Sequence, residues 1–105
     1  MRKSSIAKHD RAGVGSELSV AIGRELRRQR RARGLTQAAL GAPMTRAFVS
    51  AVETGRTVPS LPALALLADR LGLALDDFFV GVKVQMTVLY NPGHEHDQDP
   101  TSRRR

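Results

Sequence analysis

The 105-residue chain has no cysteine and no tryptophan, and one tyrosine and three phenylalanines make up its aromatic complement. Without cysteine there is no disulfide framework, no thiolate zinc site and no cysteine nucleophile. With aromatics at 4%, a platform for stacking single-stranded bases is not expected. No apolar run approaches the ~20 residues that span a bilayer. The N-terminus has basic residues but no apolar stretch behind them, which argues against a secretory signal and for a cytoplasmic protein. There is no glycine-rich phosphate loop, no H-E-x-x-H and no nucleophile elbow, so neither an enzyme nor a cofactor is expected.

Acidic residues are the next shortage: 10 Asp and Glu stand against 17 Lys and Arg, for a formal net charge of +7. Fourteen of those cations are arginine. A GC-rich genome could explain arginine over lysine but not the excess itself. Such a field attracts polyanions, nucleic acid before anionic membrane. At 41% hydrophobic residues, the chain can build one small core, and its length fits one domain.

The chain divides by composition. Residues 1–15 hold Lys3, Lys8, Arg11 and two glycines with little apolar content, and read as a flexible basic arm. Residues 91–105 open with Asn91-Pro92-Gly93 and end in Arg103-Arg104-Arg105, and read as a disordered tail. Residues 16–80 carry helical periodicity. Ser16 is expected to cap a first helix, with Glu17 in its first turn and Leu18, Ile22, Leu26 and Gln29 recurring at helical spacing, ending at Gly34. Thr36 caps a short second helix from Gln37 to about Leu40, and Gly41-Ala42-Pro43 makes the turn. Thr45 caps a third helix, Arg46 to about Glu53, with Phe48, Val49 and Val52 inward. Ser60 caps a fourth, lined by Leu61, Leu64, Leu67, Ala68 and Leu71. A short fifth helix lies near Leu75 to Phe79, with Asp76 and Asp77 as favourable charge at its start. Residues 81–90 alternate apolar and polar, which fits a strand pairing with its copy in a second subunit, or a short extension packed on the helical core.

Two short helices joined by a tight turn are the arrangement in which the second helix enters the DNA major groove. The residues sharpen this. Gly34-Leu35-Thr36-Gln37-Ala38-Ala39-Leu40, then Phe48-Val49-Ser50-Ala51-Val52-Glu53-Thr54-Gly55-Arg56, then Pro59-Ser60-Leu61 and Leu64…Leu67-Ala68…Leu71-Gly72 resemble the Cro/C1-type (XRE-like) helix-turn-helix family over about residues 18–80. The stretch from Leu40 to Ser50 is about two residues shorter than the family's usual form, with Gly41 where alanine is common.

The resemblance implies an all-α, compact five-helix, lambda-repressor-like DNA-binding domain. It implies that Gln37 reaches a phosphate or base, that Thr45, Arg46, Ala47 and Ala51 form the base-contacting face, and that Arg56 and Thr57 suit phosphate contacts. Arg46 has the greatest reading capacity, because its fork can pair bidentately with guanine O6 and N7. It also implies a buried structural ion pair between Arg30 and Glu53. The expected function is sequence-specific double-stranded DNA binding as a transcription regulator, a repressor acting as a homodimer on a near-palindromic site. Alternatives are an antitoxin or phage-type regulator whose C-terminal tail engages a protein partner, and a helical interaction module without DNA function. His94-Glu95-His96-Asp97 does not put ligands on one helix face, so no metal is expected.

Overall fold

The computed structural model describes the backbone of residues 2–90 and the side chains of residues 16–90. It is all-helical: α1 Arg2–Ala32, α2 Gln37–Gly41, α3 Arg46–Glu53, α4 Leu61–Arg70 and α5 Leu75–Tyr90. The expected tail at 91–105 lies outside the described residues.

Local chemistry sets the starts of the three central helices. Thr36, Thr45 and Ser60 sit in extended backbone, and each side-chain oxygen accepts from the amide three residues on, at 3.0, 3.1 and 3.2 Å. Each bond satisfies an orphan amide of the first turn. Arg70, at the end of α4, donates to the Ala39 carbonyl at 2.8 Å and so ties α4 to α2.

The short link between α2 and α3 has a packing counterpart. Gly41 is buried at the end of α2, and a Cβ there would lie 2.6 Å from Cγ2 of Val49. The branched side chain of α3 fills the space that alanine would take at Gly41. Within the link, the Met44 amide donates to the Gly41 carbonyl.

The core draws on all five helices: Ala21, Ile22 and Leu26 of α1, Leu40 of α2, Val49 and Val52 of α3, Leu64, Leu67 and Ala68 of α4 with the following Leu71, and Phe78 and Val82 of α5. α1 departs from expectation in two ways. Its backbone is helical from Arg2, so Ser16 lies inside the helix instead of capping it; no proline occurs before Pro43 to interrupt it. Its inner face is also rotated. Leu18 is 40% exposed, while Ser19, Ala21, Ile22, Glu25 and Leu26 are buried.

Of the two readings of 81–90 the strand is overturned: these residues extend α5 to Tyr90 and pack on the helical core. Alternating valines fit a strand, but Phe78 and Val82, with Gln85, Met86 and Leu89 half-buried beyond them, recur at helical spacing. A helix satisfies its own backbone groups, whereas a single strand needs a partner edge. Packing against α1 therefore overrides the β-propensity of the valines.

Candidate nucleic-acid interface

The α2–α3 unit is locked to α1 through one carboxylate. Glu53, the last residue of α3, accepts from Arg30 Nε at 2.6 Å and from its terminal nitrogen at 3.0 Å. Arg30 also donates to the Leu35 carbonyl at 2.7 Å. The two side chains are 11% and 3% exposed. The hydrogen bond from Glu53 raises the Arg30 pKa above its already high ordinary value, so the guanidinium stays charged.

Gln37 completes this lock. Its amide nitrogen donates to Glu53 Oε1 at 3.0 Å. One N–H of its amide is thus engaged inside the protein, so that one carboxylate joins α1, α2 and α3, and the amide keeps a second N–H and a carbonyl oxygen for the contact that the resemblance implies.

The outward side of α3 carries the other expected residues. Arg46 and Ala47 are exposed in its first turn and Ala51 is half-buried one turn on. The Thr45 hydroxyl oxygen is engaged in capping, which leaves its hydrogen able to donate outward. Arg56 is exposed and Thr57 half-buried just after the helix, where both amides bond back to the Ala51 carbonyl. Phe48 is half-buried against the core, with Val49 and Val52 within it. Gly55 ends α3 at φ +78°, a conformation suited to glycine.

A second buried acid escaped the sequence analysis. Glu25 of α1 is fully buried. It accepts from Arg28 Nε and from its terminal nitrogen at 2.9 and 2.8 Å, from Gln29 at 2.6 Å and from Gln85 of α5 at 3.2 Å. A Cβ on Gly81 would overlap its carboxylate, so α5 approaches α1 closely there. Burial pushes the Glu25 carboxyl up, but the bonds from Arg28, Gln29 and Gln85 outweigh it and hold the pKa below its ordinary value. Two glycines inside helices, Gly23 and Gly81, were the available signals of such close approach.

A depressed carboxyl pKa contributes stability above its unfolded value, and that contribution is lost as pH falls through the folded value. Glu25→Gln is therefore expected to cost about 1.5–3 kcal/mol near pH 7, the range for hydrogen bonds to charged groups. The difference from wild type should shrink as pH falls below the ordinary value of 4.5. Urea unfolding from pH 7 to pH 3 measures it; a pH-independent difference would contradict the assignment.

The family model of the helix-turn-helix domain matches residues 21–78, more than half of the chain. Among solved structures, the clp gene regulator ClgR from Corynebacterium glutamicum shares the fold with a TM-score of 0.68, over 81% of this chain and 93% of that one, at 24% sequence identity. No curated protein sequence matches. The match spans α2 and α3, the locking residues Arg30, Gln37 and Glu53, and the outward-facing Arg46 and Ala47, and the chain belongs to the helix-turn-helix domain family.

Proposed function

We propose that this protein is a sequence-specific double-stranded-DNA-binding transcription regulator that reads the major groove with α3. The observation that carries the reading is the polarity of α3. Its far end is clamped by Arg30 and Gln37 through Glu53, while its first turn presents Arg46 and Ala47 to solvent. A clamped helix with an exposed start can insert its N-terminal residues against base edges. Arg46 would pair with a guanine, and Ala47 and Ala51 would allow close approach or meet a thymine methyl. Thr45 would stand on the same base-contacting face, and Arg56 and Thr57 would hold phosphates, which positions the protein without adding sequence information. Occupying a site suffices to exclude another protein from it, so repression is the proposed sign of regulation.

The homodimer reading is supported by α5. Val80, Val84 and Val88 are 63%, 49% and 48% exposed, one helical turn apart and opposite Phe78 and Val82. A helix that is apolar on both faces calls for a second covering surface. The same valine stripe on a second copy of α5 offers a matching apolar surface across a two-fold axis.

Selection from a randomised duplex pool tests the reading. A near-palindromic consensus bound ~10³-fold or more above scrambled DNA is expected. Arg46→Ala should cost about 1–3 kcal/mol and relax one base of each half-site. Val84→Glu should shift sedimentation to monomer and weaken binding to the full site by about 100-fold or more, through lost effective concentration. Equal binding of all duplexes would overturn base reading, and a wild-type monomer at the concentrations that fill the site would overturn the dimer.

A further inference from the structure

We propose that the solvent face of α1 is a second anion-binding surface, built for phosphate groups and separate from the reading residues of α3. Arg24, Arg27, Arg28 and Arg31 line one open groove of about 660 Å3, together with Gln85 of α5 and Glu53 of α3. Their spacing puts all four arginines on one stripe of the helix.

The charge on this groove is not balanced locally. Arg28 is committed to Glu25. The neighbouring Arg30 is held by Glu53 and Leu35, and Arg33 by Gln29. Arg24, Arg27 and Arg31 make no hydrogen bond or ion pair among the described residues. The one carboxylate on the groove, Glu53, already accepts from Arg30 and Gln37. An ordinary solvated helix face intersperses acids three or four residues from its bases. Between Leu18 and Ala32 the only acid is Glu25, and it points inward. Three like charges are thus held on one stripe without an acid among them.

Guanidinium forks match phosphate oxygens, and one phosphate can accept from neighbouring arginines at once. The phosphates can come from the backbone of bound duplex, in which case the inference rests on the DNA reading above, or from a free polyphosphate. Both present the same chemistry to the stripe.

The test uses the full chain and the variant R24A/R27A/R31A, whose altered side chains are exposed. In the first arm, affinity for a selected and a scrambled duplex is measured across salt concentrations. The slope of log K against log salt should fall by about 2 to 3, both duplexes should weaken alike, and the selected consensus should stay the same. In the second arm, inorganic tripolyphosphate is titrated calorimetrically without DNA, and wild-type binding should vanish in the variant. A change in the DNA arm, with or without the second, assigns the site to backbone phosphates. A change in the tripolyphosphate arm alone assigns it to a free polyphosphate. No change in either arm, in a variant with wild-type circular dichroism and Tm, overturns the proposal. Should that variant lose its fold, R24Q/R31Q reads the same two arms, with a slope change of about 2. A wild type without base preference would sink base reading by α3 and leave both arms readable.

Discussion

Glu53→Ala is expected to destabilise the protein by about 3–5 kcal/mol, because removing one partner of a buried pair strands the other charge. The stranded group is Arg30, 11% exposed, which would keep only its bond to the Leu35 carbonyl. Gln37 would lose its partner at the same time. Domains of this kind have total stabilities of about 5–15 kcal/mol, so the loss is a large share. Arg30→Met combined with Glu53→Leu should recover most of it, since apolar replacement of a buried pair is often neutral or stabilising. Urea midpoints separate the outcomes. A Glu53→Ala loss below about 1 kcal/mol, the range of an exposed pair, would show that the clamp contributes little. The double variant should still bind the selected site less well than wild type, because neither Met nor Leu can hold the start of α2 through Gln37.

Gly23→Ala should destabilise by about 1–3 kcal/mol or more, the range for overpacking a filled interior. In an ordinary helix interior the same change is favourable by about 1 kcal/mol. The sign reverses because α1 crosses the end of α3 at Gly23. A Cβ there would sit 2.6 Å from the Glu53 carbonyl oxygen and closer still to that of Val52. Both neighbours are backbone, which cannot swing aside as a side-chain tip can. The relief available is a shift of α3 away from α1, which would strain the Arg30–Glu53 bonds. Specific DNA affinity should therefore fall more than salt-dependent binding to scrambled duplex. Thermal unfolding and two-duplex binding measure both effects. A variant as stable as wild type would show that α1 and α3 have room at this crossing.

Much of the domain was readable from local chemistry. The caps Thr36, Thr45 and Ser60 each act within three residues of themselves, so their effect does not depend on the rest of the fold. The breaks after α1 and α3 carry Gly34 and Gly55 with positive φ, as helix ends favour. The outward position of Arg46 and Ala47 also follows from one helix's own periodicity, because Val49 and Val52 take the inner face.

The valines of α5 satisfy two periods at once, which is why the sequence leaves 81–90 open between a strand and an extension on the core. Val80, Val82, Val84 and Val88 alternate as in a strand, yet Phe78 and Val82 share a helical face. Only the neighbouring surface of α1 selects between the two. The same holds for the rotation of α1: Leu18 and Ile22 are equal on the sequence, and packing into the shared core took Ile22 and left Leu18 exposed.

The sequence by itself determined the net positive charge, the helical content of the central segment, the capped starts of α2, α3 and α4, and which residues of α3 face outward. Each depends on composition or on residues within a turn or two. Only the tertiary structure decided that Glu25 is buried against Gln85, 60 residues away, that Gln37 turns inward to Glu53, 16 residues away, and that 81–90 is helix. Those outcomes depend on which surfaces meet, and a buried polar group must find its partners wherever in the chain they lie.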